Sequence, residues 1–421
     1  MRVRSWKRFD WPAIAFALAA SAVIAFSAKS TGDYSAQMEP AVRALAQGDL
    51  GRFFDQQPVY GCLSAIVQAP SAAIAVHLAH GGDLLLYQVA LLPCLFALGL
   101  VGVQLRQIAA TRGQQPLVCA AVCVIALVNP ATFEAVKNGH PEELLAAALL
   151  VGAVLSALRG RRLQAAVLLG LAVSTKQWAL LGVLPVLFAC GDGWRPRLRM
   201  ALTAAGIATA LTAPMLLTNS ERFTTNARAA QGGTVTASRF SVWWPLASER
   251  ERVVKVGDEE STVVLHRLPS AVSGLARPAI VALALVLVLF HARSRRWQPG
   301  EEVLGLLALV LLLRCVLDPL NNSYYHVPIL LSLLAWEGSR LAGLPALTLL
   351  AAAALWASFS HFLLVHATAN NLSYLAWMLA LSAWIALSLF APAFMARARR
   401  RLKPLRMALP AGRAWLPVRN V

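Results

Sequence analysis

The chain has 421 residues, of which 58% are hydrophobic and only 14% charged, with a mean hydropathy of +0.60. A soluble domain of this length needs far more polar surface, so the composition points to a polytopic membrane protein. The net charge of +18 sits in short clusters between apolar runs, which is the pattern of membrane topology and not of a nucleic-acid-binding face.

From the N-terminus, "MRVRSWKR" precedes an apolar stretch of roughly 17 residues, longer than the apolar region of a signal peptide. It reads as a retained first helix. Further basic clusters fall at Arg106 and Arg112, Arg159 to Arg162, Arg195 to Arg199, Arg293 to Arg296, and Arg397 to Arg406. Placed together on the cytoplasmic side, they require an even number of crossings between consecutive clusters, hence about twelve helices with both termini inside. The predicted helices lie near 11–28, 84–105, 117–130, 144–158, 163–174, 177–190, 200–217, 278–292, 303–317, 327–338, 341–358 and 373–392. They define an all-α transmembrane domain over 1–392. A basic tail, 393–421, is suited to anionic inner-leaflet lipids. The six cysteines mostly lie inside apolar runs and read as small buried hydrophobes. No internal repeat is visible.

One predicted hairpin is too short. As helices, Leu163 to Ser174 and Gln177 to Cys190 reach only ~18 and ~21 Å, less than a bilayer core of ~30 Å. The turn "STKQ" between them therefore stops short of the outer surface, and Lys176 lines a recess. Polar backbone at that depth requires surrounding protein or a water-filled cavity.

The external segments are then 29–83, with juxtamembrane helices, 131–143, 174–177, the long loop 218–277, 318–326 and 359–372. They gather most of the chemistry. "SAKSTGDYSAQMEP" places Asp33 at the mouth of the first helix, either as a helix cap or as a reactive carboxylate. Asp49 and Asp55 read as solvated turn residues. "NGHPEE" supplies His140, Glu142 and Glu143; Pro141 followed by two glutamates also suits a helix N-terminus. Lys176 at membrane depth is costly enough to imply an anionic partner. "RFSVWWPL" holds Trp243 and Trp244, which either stack on sugar rings or rest at the headgroups. The loop around them, with Gly232 and Gly233, is a candidate lid over the acceptor. "DPLNNSYYH" holds Asp318, Asn321, Tyr324, Tyr325 and His326. His361 and His366 read as interfacial.

The stretch "NGHPEELLAAALLVGAVLSALRGRRLQAAVLLGLAVSTKQWALLGVLPVL" resembles the bacterial polyprenol-phosphate-mannose-dependent mannosyltransferases, glycosyltransferase family 87, with a multi-helix GT-C fold. "GDYSAQMEPAVRALAQGDLGRFFDQQPVY", "RFSVWWPL" and "RCVLDPLNNSYYHVPILLSLLAWEG" are similar to further parts of that family, and together they span about 30 to 340. The chain departs from the family in "QPVYGCLSAIVQAP", where members usually carry an aromatic-Pro-Pro run. The resemblance implies a polyprenyl-phosphate sugar donor, with mannose the sugar expected for this family, a glycolipid or polysaccharide acceptor outside the bacterial plasma membrane, and inverting transfer of a hexose. It also implies a catalytic acidic residue in the first external loop, which maps by position onto Asp33.

The residues suit that chemistry independently of the resemblance. A carboxylate such as Asp33 can take the proton of an acceptor hydroxyl. One displacement with one carboxylate inverts the anomeric centre. A phosphate leaving group gains negative charge, which fixed cations stabilise; Lys176 is the candidate, with His140 or His326 as further donors. Glu142, Asn321, Asp318, Tyr324, Tyr325, Trp243 and Trp244 are candidate substrate contacts. Neither a phosphate-binding Gly-rich loop nor a dinucleotide fingerprint is present, and no cofactor is expected. A metal cluster of Asp33, Asp318 and Glu142 stays open, though a monophosphate leaving group does not oblige one. A flippase for lipid-linked glycans would distribute charges along a path through the helices, whereas here they concentrate on one face. A donor carrying a pentose is not separable from mannose at this level.

Overall fold

The computed structural model describes residues 10–78, 82–191, 193–230, 236–256, 259–294, 300–340, 343–360, 367–395 and 397. The expectations for Gly232 and Gly233, for His361 and His366 and for nearly all of the basic tail fall outside these residues.

Helix α1 (Trp11–Phe26) leads into three short helices, α2 (Tyr34–Gln37), α3 (Glu39–Ala46) and α4 (Leu50–Gln56), and then α5 (Cys62–Leu78). The long α6 (Asp83–Thr111) returns, followed by α7 (Pro116–Leu127), α8 (Pro130–Asn138) and α9 (Pro141–Leu158). Prolines at the starts of α7, α8 and α9 occupy first-turn positions whose N–H would be unpaired anyway. Helix α10 (Arg162–Thr175), a 3₁₀ turn (Gln177–Gly182) and α11 (Val183–Ala189) form the short hairpin. Then come α12 (Trp194–Thr218) and α13 (Ser220–Ala230), strands β1 (Ser248–Val256) and β2 (Glu259–Arg267), and α14 (Ser270–Ser294). The chain closes with α15 (Glu302–Leu317), a 3₁₀ turn (Ser323–His326), α16 (Val327–Arg340), α17 (Ala346–Phe359) and α18 (Ala367–Phe390).

Helix occupies each of the twelve segments expected from the apolar runs. Among the described residues six stretches are long and apolar enough to cross a bilayer: α6, the α7–α8 run, α9, α12, α14 and α18. Helix α9 is the most enclosed of these, packed by α6, α10, α11, α15 and α16. Because lipid tails are as apolar as leucine, such helices associate through close packing of small residues. Accordingly Ala17 of α1 sits against Gly99 of α6, and Ala126 of α7 against Gly102. The outer helices keep large apolar side chains exposed, among them Leu202, Leu217, Leu275, Val286 and Phe290, as a lipid-facing surface does.

Two of the segments expected to be external are more ordered than their sequences suggested. Within 29–83, α5 is a 17-residue helix with Pro70 inside it, packed on α3 and α6. Within 218–277, α13 is followed by an antiparallel hairpin pairing Ser248 with Arg267 through Val256 with Glu259. The hairpin is the one departure from an all-α fold among the described residues, and its signal was the β-branched "RVVKV" and "STVVLHR".

Candidate active site

The N-terminus of α9 opens onto the site. Pro141 starts the helix and Glu142 and Glu143 occupy its first turn, where the positive end of the helix dipole favours carboxylates. Both are fully buried, so more than the dipole must hold them. Glu142 Oε1 lies 2.8 Å from His140 Nδ1 and 3.1 Å from Lys176 Nζ. Glu143 Oε1 lies 3.3 Å from Lys176 Nζ and 3.4 Å from the Arg314 guanidinium, and its Oε2 accepts a 2.8 Å bond from Trp178 Nε1. The Lys176 ammonium also sits 3.1 Å from the centre of the Tyr60 ring, and Arg314 stacks 3.8 Å from that of Tyr325; both are cation–π contacts. Every charge is paired, as burial demands.

On the other side of His140, its Nε2 lies 3.3 Å from Asp33 Oδ2. Asp33 stands at the cap position of α2 yet makes no capping hydrogen bond, so its carboxylate is free of that duty, and its side chain is 60% exposed. Tyr324 stacks on the His140 ring at 4.1 Å. The contact with His140 holds the Asp33 carboxyl below its ordinary range. Burial alone would pull the His140 imidazole down, but the Glu142 charge, the bond to Glu142 and the contact with Asp33 outweigh it and raise its pKa. Three carboxylates (Asp33, Glu142, Glu143) thus face the basic side chains of Lys176 and Arg314, with the His140 ring between Asp33 and Glu142.

Backbone interlocks bring these groups together. Gly139 ends α8 in the left-handed conformation, φ +80°, and any side chain there would strike Thr31 and the Asp33 and Tyr34 amides. The chain at Gly32 approaches Asn138 as closely, and the Asp33 amide donates to the Asn138 carbonyl at 3.0 Å. "TGD" and "NGH" are thus two halves of one contact. Likewise Gly61 donates to the Thr175 carbonyl with no room for a Cβ against Ser174, which lays Tyr60 over Lys176.

A cavity of about 540 Å³ adjoins this network. Its polar end carries Lys176, Arg277, Arg314, Asp318 and Tyr325, and its walls carry Val173, Leu181, Met215, Phe223 and Ile280. Leu180 and Val281, which also line it, are 57% and 59% exposed, so the apolar wall reaches the lipid-facing surface. Asp33 is not among the lining residues; it is joined through His140 and Glu142 to Lys176, which is one of them.

The structure thus assembles Asp33, His140, Glu142, Lys176 and Tyr324, and places Asp318 and Tyr325 in the cavity. It does not bring the remaining candidates there. His326 is corrected: its Nδ1 lies 3.0 Å from the Ser323 carbonyl and its Nε2 2.9 Å from the Tyr374 hydroxyl, and burial pulls its pKa down to about 4. A neutral, doubly engaged ring is no phosphate ligand. Asn321 donates to the Phe240 carbonyl and to Tyr374. Trp243 Nε1 donates to the Leu317 carbonyl at 2.6 Å, and Trp244 stacks on His266 at 3.8 Å. All three hold the 236–246 segment in place. Asp49 caps α4 through the Arg52 amide. Among the described residues no three His, Cys, Asp or Glu side chains form a metal-holding group, so Asp33, Asp318 and Glu142 do not converge. Sequence reading passed over Tyr60, Trp178, Arg277 and Arg314. Arg314 was findable, since a charge in the apolar run "VLLLRCVLD" is expensive unless it serves a site.

Fold and site define an integral membrane protein with a paired-charge network beside a cavity that is polar at one end and apolar along its walls. The family model of glycosyltransferase family 87 matches residues 59–319, well over half of the chain. The chain belongs to glycosyltransferase family 87 and is a membrane glycosyltransferase. No curated protein matches it. The family match begins after Asp33, so the place of Asp33 in the site rests on its contact with His140.

Proposed function

We propose that this protein transfers a hexose, with mannose the first candidate, from a polyprenyl-phosphate donor to a hydroxyl of a glycolipid or polysaccharide outside a bacterial plasma membrane. The observation that carries this reading is the cavity, which joins cations to an apolar wall reaching the lipid. A sugar linked through phosphate to a long hydrocarbon has that same polarity. The phosphate lies near Lys176 and Arg314, the isoprenoid along Leu180 and Val281, and the sugar toward Tyr60.

Asp33 acts as the base. It takes the acceptor proton as the acceptor oxygen attacks the anomeric carbon, while the bond from that carbon to the phosphate oxygen breaks and the electron pair leaves with the lipid phosphate. Such a base supplies about 10²–10⁴-fold. Glu142 and Glu143 are buried in ion pairs and Asp318 is buried beside Arg277, whereas the Asp33 side chain is exposed, which favours Asp33 as the base of a single inverting displacement. The basic clusters orient the Asp33 face away from the cytoplasm.

The test is sugar transfer in liposomes, with purified protein, labelled polyprenyl-phosphate mannose and a glycolipid extract. The wild type transfers mannose with inversion, and Asp33→Asn loses at least about 10²-fold in rate while still binding donor. Transfer from a polyprenyl-phosphate pentose alone moves the sugar assignment. Movement of lipid-linked sugars between leaflets without transfer sinks the reading.

A further inference from the structure

Beside Asp33, helix α8 carries a second carboxylate that the donor cavity does not use. Glu134 and Asn138 stand one turn apart, and the Asn138 side-chain amide donates to the Glu134 carbonyl at 2.7 Å and to its Oε2 at 3.2 Å. The hydroxyl of buried Ser323 donates to the same Oε2 at 3.0 Å. The other oxygen, Oε1, has only Lys137 near it among the described residues, at 3.8 Å, and the two side chains are 32% and 71% exposed. So open a pair holds Oε1 weakly and leaves it accessible to a ligand. Glu134 is tied to Asp33 from two directions. On one, the Asn138 carbonyl accepts from the Asp33 amide at 3.0 Å. On the other, Ser323 is followed by Tyr324, whose ring stacks on His140 at 4.1 Å, and His140 Nε2 lies 3.3 Å from Asp33 Oδ2. Asp33, Asn138, Glu134, Ser323, Tyr324 and His140 thus close a ring of contacts that carries two partly exposed carboxylates. Neither of the two lines the cation-bearing cavity.

We propose that Glu134 binds a second hydroxyl of the acceptor sugar and so holds the reacting hydroxyl at Asp33. This rests on Asp33 as the base of the transfer. An ionised carboxylate accepts hydrogen bonds and donates none, so the partner that suits Asp33 and Glu134 together is a group rich in O–H donors. An ionised phosphate offers no such donor and is repelled. A pyranose carries several hydroxyls on one rigid ring, so fixing one of them at Glu134 restricts where another can lie, which is how a reactant gains from being positioned. The bonds from Asn138 and Ser323 to Oε2 survive this contact, because the sugar meets Oε1. Exposed Asn322, whose amide donates to the Tyr324 hydroxyl at 2.9 Å, puts further polar groups on the same rim. The acceptor class that follows is a glycan ending in a sugar ring with several free hydroxyls, in preference to a simple alcohol.

The experiment measures binding of labelled octyl mannoside, octyl glucoside and octyl galactoside, and of the monodeoxy analogues of whichever binds, to donor-free wild type, Glu134→Gln and Glu134→Asp in lipid nanodiscs. In the wild type, removing one particular ring hydroxyl weakens binding about 10-fold or more, the worth of a hydrogen bond to a charged group. Glu134→Gln binds the parent glycoside more weakly, and losing that same hydroxyl costs it several-fold less than it costs the wild type, because both changes remove one contact. Glu134→Asp, which keeps the charge, retains more of the dependence than Glu134→Gln. If the losses from Glu134→Gln and from every deoxy analogue simply multiply, Glu134 supports the fold without touching the sugar, and the proposal is overturned. A wild type that binds none of the three glycosides overturns it as well. A wild type that shows the coupling yet transfers no sugar to the glycoside from a polyprenyl-phosphate donor sinks the transfer reading and leaves Glu134 as a sugar contact.

Discussion

Asp33 and His140 titrate in opposite directions, and that coupling is measurable. The His140 contact lowers the Asp33 pKa, so the stability Asp33 contributes is present above its ordinary value of 3.8 and is lost as pH falls through the lowered folded value. His140 is raised from 6.5, so its contribution is complete below that and is lost as pH rises through the higher folded value. In a His140→Leu variant the main lowering influence on Asp33 is gone. The acid limb of the kcat/KM profile then moves to higher pH; an unmoved limb separates Asp33 from the base role or from His140. Glu142 serves both neighbours at once. Replacing one member of a buried ion pair costs about 3–5 kcal/mol, so Glu142→Gln melts at a clearly lower temperature than wild type in detergent. An unchanged melting temperature would mean that the network adds nothing to stability. Single letters announced part of this. Lys176 and Arg314 stand out as charges within apolar runs, but no letter says that each faces a glutamate of the same helix turn.

At the scale of elements, the site depends on how short pieces dock. The α10–α11 hairpin is too short to cross a bilayer, since α10 has 14 residues and reaches about 21 Å. Its turn is consequently held inside the protein, where Lys176 is 6% exposed. The stop was legible from segment length and the neighbouring basic clusters. The docking of Gly61 on that turn was not, because it joins residues far apart in sequence through backbone alone. Gly61→Ala has no space for its methyl group, so it displaces Tyr60 from Lys176 and raises the donor Kd about 10-fold or more, of the order of a lost desolvated cation–π contact. Unchanged donor binding would show that the Tyr60 contact is dispensable. The 218–277 segment shows the opposite limit. Its charged, Gly-containing sequence suggested an open loop, yet α13 packs against the cavity through Phe223 and the buried Asn226, and Asn226 holds the Gln57 carbonyl at 2.9 Å.

For the whole molecule, sidedness is open to direct test. Ser35 and Thr111 are exposed at opposite ends of the helical topology, and all six native cysteines are buried. A membrane-impermeant thiol reagent applied to intact cells therefore labels Ser35→Cys and spares Thr111→Cys. The reverse pattern would put the Asp33 face in the cytoplasm. The sequence alone determined that the chain lives in a membrane, roughly where its helices run, which ends are basic, and its likeness to family 87. Composition and run length decide those properties, because insertion into lipid is governed segment by segment. Only the tertiary structure decided which of the polar residues meet. It separated His140 from His326, turned Glu142 and Glu143 from helix-end residues into the centre of an ion network, and put Arg277 in the wall of a cavity. Those pairings depend on which helices pack around α9, and packing among apolar helices in lipid is settled by shape and contact across the whole bundle, which no local pattern records.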